Sequence, residues 1–143
     1  MIDLKSKASE IRRQILQSSF DAKACHISSS LSCVDIMVNL FYRDLKDDDI
    51  FIFGKASGFA THLVILADKG IIPKERIATY LKDYPEVSKE VPGVVWSGGA
   101  VGHALAIAVG LAYSDRKKRV YVLVSDGELQ EGASYESALF ARQ

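Results

Sequence analysis

The stretch Val120-Tyr121-Val122-Leu123-Val124-Ser125-Asp126-Gly127-Glu128-Leu129-Gln130-Glu131-Gly132 constrains this chain more than any other. Its first five residues are apolar and mostly β-branched, which predicts a strand buried on both faces, as in a parallel sheet. The run stops abruptly at Ser-Asp-Gly, and from Glu128 onward the residues can continue as a helix. Ligands of α/β sheets bind beyond the carboxyl ends of the strands, so Asp126 stands where a ligand would. Two readings of Asp126 are open at this point. Its carboxylate can hold a hard cation such as Mg2+, with the following turn and helix start facing a phosphate. Alternatively it caps the helix, as Asp often does.

The rest of the sequence has the composition of one globular domain, 143 residues with 48% apolar and 25% charged side chains. Eighteen basic residues balance eighteen acidic ones, so no nucleic-acid or acidic-membrane partner is expected. No apolar run approaches the roughly 20 residues of a membrane span. The N-terminus lacks the apolar block of a signal peptide. Cys25 and Cys33 are too few and too close to suggest a disulfide framework, and neither has zinc-ligand spacing. A reducing, cytoplasmic location is the expectation.

Leu4, Ala8, Ile11 and Ile15 recur at helical spacing and predict an amphipathic helix over residues 3–20. The polar run Cys25-His26-Ile27-Ser28-Ser29-Ser30-Leu31-Ser32 reads as a turn, with Ser30 or Ser32 capping a helix that buries Val34, Met37, Val38 and Phe41. Lys46-Asp47-Asp48-Asp49 reads most simply as a solvated loop, with a metal site as the less favoured alternative. Ile50-Phe51-Ile52-Phe53 predicts a buried strand, followed by the small-residue turn Gly54-Lys55-Ala56-Ser57-Gly58 and a helix that stops at Gly70. Pro73 opens another helix that runs to Asp83. Four glycines lie between Pro92 and His103, ahead of an Ala-rich helix over 104–113. Glycines there let backbone N–H groups approach an anion, and close helix packing accounts for them too. Strand, small-residue turn and helix occur twice, which argues for a parallel sheet with helical crossovers.

Three stretches in this order resemble the N-terminal, diphosphate-binding half of the transketolase family. Residues 25–32 look like Gly-His-Pro-Gly-Gly-Ser-Leu-Ser. Residues 98–105, Gly-Gly-Ala-Val-Gly-His-Ala-Leu, look like Thr-Gly-Ser-Leu-Gly-Gln-Gly-Leu. Residues 125–132 look like Gly-Asp-Gly-Glu-Leu-Gln-Glu-Gly. The resemblance implies an α/β three-layer sandwich, a parallel sheet flanked by helices, here incomplete at its C-terminal edge. Residues 1–143 would be a partial diphosphate-binding domain. It implies thiamine diphosphate and Mg2+ as cofactors, with Asp126 as the metal ligand and Gly102, His103, Gly127 and Glu128 along the cofactor. His26 would be the catalytic histidine near the reacting centre, contacting the donor sugar and assisting proton transfer. Glu131 would be the acid at the subunit interface.

The parent chemistry is transfer of a two-carbon ketol unit between sugar phosphates. It would need a C-terminal transketolase half or a second subunit, and a homo-oligomer is expected. Several positions depart from the family pattern. Ile27, Ser28 and Ser29 stand at Pro-Gly-Gly, and Ser125 replaces a glycine. Gly54-Lys55-Ala56-Ser57-Gly58 stands at Ser-Lys-Gly-His-Ala, so Ser57 takes the place of a cofactor-contacting histidine, and Tyr84 that of a substrate-contacting one. The family's second metal ligand, an Asn further along than the Asp, would fall beyond residue 143, as expected of a fragment or of a shortened relative. These departures support an alternative, a non-catalytic protein that kept the fold. A 2-oxoacid dehydrogenase-type subunit, which shares the Gly-Asp-Gly motif, is a further alternative that residues 25–32 and 98–105 disfavour.

Overall fold

The computed structural model describes residues 2–142. Ile50–Phe53 forms β1 and Val120–Leu123 forms β2. They pair in parallel, with Ile50 opposite Val120 and Phe53 opposite Leu123. Parallel neighbours need a crossover, and here it carries α4 (Phe59–Asp68), α5 (Ile77–Asp83) and α6 (His103–Ser114). Ahead of β1 lie α1 (Leu4–Ala22), α2 (Ile27–Ser32) and α3 (Val34–Asn39), the last extended by a π turn over Leu40–Asp44. After β2 come α7 (Asp126–Leu129) and α8 (Gly132–Phe140).

Strand alternation divides the sheet into two faces. Phe51 and Phe53 pack edge-on, tilted or stacked with Phe41, Phe59 and His62, which places the α3–α4 side on one face. Ile52 and its partner Val122 point the other way, where α6 lies against both strands. The result is helix layer, sheet and helix layer, as expected. α1 packs against α3, α4 and α5 through Ala8, Ile11 and Ile15, its predicted apolar stripe. A polar clamp supports this side. Lys7 reaches Asp68 at 3.2 Å and Glu10 at 2.7 Å, and the Tyr42 hydroxyl donates to Asp68. Burial and the adjacent Asp68 carboxylate both push the Tyr42 hydroxyl's pKa up, so it stays protonated.

Four expectations are corrected. The strand over 120–124 is not buried on both faces: all four residues of β2 are only half-buried, because β1 pairs with one edge and the described residues leave the other unpaired. The polar run after Cys25 is not a turn but α2. Neither Ser30 nor Ser32 caps the next helix; their hydroxyls donate backward, to the carbonyls of His26 and Ser29. The helix begun near Glu128 is broken at Gln130 and Glu131 into α7 and α8.

Candidate functional site

The carboxyl ends of β1 and β2 open into a cleft of about 310 Å³. Its walls come from three separate stretches: Cys25 and His26 before α2, Gly54 to Ser57 after β1, and Ser125 with Glu128 after β2. Pro85, Glu86, Gly99 and Val101 close the remaining side. An adjoining cavity of about 330 Å³ shares Cys25, His26, Ala56, Ser57 and Pro85 with it.

The segment after β2 is held by a reciprocal cap. Ser125 Oγ accepts from the Glu128 N–H at 3.2 Å, and the Ser125 N–H donates to Glu128 Oε2 at 3.0 Å. This capping box satisfies backbone donors that a helix start leaves unpaired. Ser125, not Asp126, is therefore the cap, and the capping reading of Asp126 does not hold. Asp126 is the first residue of α7, solvent-exposed, with no hydrogen-bond partner among the described contacts. Gly127 beside it is open, a Cβ there meeting only Ser125 Oγ at 3.9 Å.

The glycine loop joins this segment from below. Gly102 has φ +89°, a conformation that glycine adopts without strain. A Cβ at Gly102 would stand 2.7 Å from that of Glu131, so the two backbones meet there. Ser134 Oγ also reaches the Gly102 carbonyl. Glu131 is thus placed against the loop, and its extended backbone is what interrupts the helix. His103 is exposed at the first turn of α6 and does not line the cleft.

His26 lines the cleft from a left-handed conformation, φ +65°, unusual for a residue with a side chain. Ser57 pairs with Ser29, their hydroxyl oxygens 2.7 Å apart. Tyr84 lies outside the cleft, stacked on Tyr80. Lys55 and Glu86 are cleft residues that the sequence reading missed. Lys55 could have been found from its place in the turn after a buried strand. Glu86 follows a Tyr-Pro pair and carried no such signal; its carboxylate lies over Gly99, where any Cβ would collide with it.

Mg2+ is usually held by one or two carboxylates, with waters and phosphate oxygens completing an octahedron. Asp126 offers an unpartnered carboxylate, and Glu128 Oε1 is a buried oxygen without a hydrogen-bond partner. Among the described residues no group of three or more His, Cys, Asp or Glu could hold a metal ion. The described residues therefore do not form a metal cage by themselves.

Residues 1–141 match the profile of the 1-deoxy-D-xylulose-5-phosphate synthase N-terminal family. The chain belongs to that family. Among curated relatives of this synthase-family chain, an apulose-4-phosphate transketolase subunit of Actinobacillus succinogenes is 38% identical, over 99% of the chain and 58% of the relative. Its namesake from Phocaeicola vulgatus is 29% identical, over 98% and 56%. A 6-deoxy-6-sulfo-D-fructose transketolase subunit of a Clostridium species is 28% identical, over 98% and 58%. The chain thus spans a little over half the length of these relatives. In fold it matches a transketolase from Leishmania mexicana with a TM-score of 0.85, at 22% identity over 96% of this chain and 25% of that one. The resemblance to transketolases read from residues 25–32, 98–105 and 125–132 is borne out. No helix among the described residues is long and apolar enough to cross a membrane.

Proposed function

We propose that this chain is the N-terminal portion of a transketolase-type enzyme that binds thiamine diphosphate with a divalent cation. The observation that carries the reading is the cleft at the carboxyl ends of two parallel strands, where His26 and Glu128 converge from stretches about a hundred residues apart in sequence. Asp126 would hold the cation, and Gly127 leaves the backbone open for close approach. Gly102 would let the loop backbone approach the cofactor, with His103 next to it outside the cleft. When bound, the thiamine ring supplies the nucleophilic carbon that carries the ketol unit. The chain's own residues hold, orient and shield. His26 would contact the donor sugar and move a proton at its hydroxyl, its side chain aimed by the left-handed backbone. Glu131, packed on Gly102, would form part of the contact with the polypeptide that completes the site. Anionic sugars are the substrate class, by analogy with relatives named for a sugar phosphate and a sulfosugar.

The test is calorimetry of the chain mixed with a complementary transketolase C-terminal polypeptide. Thiamine diphosphate should bind in the presence of Mg2+ and much more weakly after chelation. Binding that ignores Mg2+, or no binding, overturns the reading. A second reading, a non-catalytic protein of this fold, draws on the Ser57–Ser29 pair and on Tyr84 turned onto Tyr80. Ketol transfer by the mixture would remove it.

A further inference from the structure

Glu86 lines the cleft in a setting that the neighbouring backbone prepares for it. Val87, the next residue, is buried and bridges Gly98 in antiparallel fashion, the Gly98 N–H donating to the Val87 carbonyl at 3.0 Å. Successive side chains on extended backbone point opposite ways, so with Val87 in the core Glu86 turns to the cleft. Two glycines make room on the facing segment. A Cβ at Gly98 would collide with the Trp96 ring, and one at Gly99 with the Glu86 carboxylate. Neither glycine has a positive φ, so backbone conformation does not call for glycine at either position. Space does. At Gly99 the place of a side chain is taken by both oxygens of Glu86, and the bare backbone is a seat for that carboxylate.

The seated carboxylate is exposed, with no hydrogen-bond or ion-pair partner among the described contacts. Lys55, from the turn after β1, is the one Lys or Arg among the described lining residues, and it too has no described partner. Opposite charges on two walls polarise the cleft. A carboxylate repels an anionic group and accepts strong hydrogen bonds from hydroxyls. An anionic sugar therefore lies best with its charged group toward Lys55 and its hydroxyls toward Glu86. We propose that Glu86 is a specificity-determining residue whose carboxylate accepts hydrogen bonds from hydroxyls of the sugar substrate. The inference rests on the transketolase-type reading above, and it gives a binding role to a residue which that reading leaves unused.

The test is ketol transfer by the chain mixed with the complementary C-terminal polypeptide, thiamine diphosphate and Mg2+. The substrates are a sugar phosphate and analogues that each lack one hydroxyl away from the bonds made and broken. A site that hydrogen-bonds a hydroxyl discriminates against the analogue lacking it, so the wild type should use at least one analogue about tenfold less well in kcat/KM. Glu86→Ala should lower kcat/KM for the parent sugar to about the value for that analogue, and so use the two almost equally. Gly99→Ala should do the same with Glu86 intact, because the added Cβ displaces the carboxylate. A purely structural role would lower activity on every substrate and leave the ratio of parent to analogue as it was. Wild-type discrimination retained in Glu86→Ala or in Gly99→Ala overturns the proposal, and so does a wild type that uses all analogues equally. A rise in kcat/KM for the parent sugar in Glu86→Ala would show that the carboxylate only repels, and overturns it as well. In each of these cases transfer by the wild type leaves the transketolase-type reading standing. No ketol transfer by the wild-type mixture overturns both. Should Glu86→Ala unfold early in a thermal melt, Gly99→Ala decides alone.

Discussion

Gly54 and Ala104 touch across the strand–helix boundary: a Cβ added at Gly54 would stand 2.6 Å from the Ala104 Cβ and 2.8 Å from the Leu123 carbonyl oxygen. The transketolase pattern has these sizes reversed, with Ser at the position of Gly54 and Gly at that of Ala104. The small residue has moved from helix to strand, and the contact is preserved by the exchange. Gly54→Ser alone should therefore lose about 2 kcal/mol through overpacking, and Ala104→Gly alone about 1 kcal/mol through helix propensity. The double variant should lose clearly less than the sum, a coupling of about 1 kcal/mol or more. Urea unfolding of the four proteins measures it; additive losses would show that the sites are independent. Ser125 is a similar case. The sequence comparison makes it an intrusion at a glycine position, whereas its hydroxyl closes the cap on α7. Ser125→Ala should cost about 1 kcal/mol and Ser125→Gly only a few tenths, read from the same urea transitions.

Among the elements, α4 carries the group that most strongly ties the fold to pH. His62 is buried within the rings of Phe41, Phe51, Phe53 and Phe59, and burial pushes its pKa down to about 3. Its value in the unfolded chain is about 6.5. Between those two values the unfolded state binds the extra proton, so the stability His62 confers is complete above pH 6.5 and lost as pH falls toward 3. The slope in that window is up to about 1.4 kcal/mol per pH unit. Asp68, whose pKa is lowered by Tyr42 and Lys7 although burial opposes them, adds acid sensitivity only at the lower end, below the ordinary carboxylate range. Urea midpoints from pH 7 to pH 4 should fall steeply for the wild type and less steeply for His62→Leu; parallel curves would remove His62 as the cause. The elements differ in how well sequence reveals them. β1 was legible to the residue because four apolar residues end in a glycine turn. α1 was legible because its stripe is regular. α2 was hidden: serine-rich residues have no helical preference of their own, and α2 is held by tertiary bonds such as Thr61 Oγ1 to the Ser30 carbonyl at 2.6 Å. The break between α7 and α8 was hidden for the same kind of reason, since Glu131 is placed by its contact with Gly102, far away in sequence. Of the cleft, His26 and Glu128 were legible from motifs, while Glu86 owes its place to the chain's return path.

At the scale of the molecule, the sheet is asymmetric. β1 is largely buried, whereas β2 is half-exposed and flanked by two open grooves of about 680 and 360 Å³, one on each face. Leu4, Ala8 and Met37 line the first, and Leu105, Ala108 and Val109 the second. An unpaired strand edge with apolar flanks invites pairing with another chain. The isolated chain should therefore gain mass with concentration in light scattering, and Val122→Lys should suppress the gain; a wild type that stays monomeric at high concentration contradicts this. The sequence contains one tryptophan, Trp96. It is buried, and its indole N–H donates at 3.1 Å to the carbonyl of Phe53, the last residue of β1. Its ring lies against Gly98, at the start of the glycine loop. The protein thus has a single tryptophan, hydrogen-bonded to the residue that precedes Gly54 at the mouth of the cleft. Filling the cleft should therefore change Trp96 emission, a readout that needs no label and no coupled reaction.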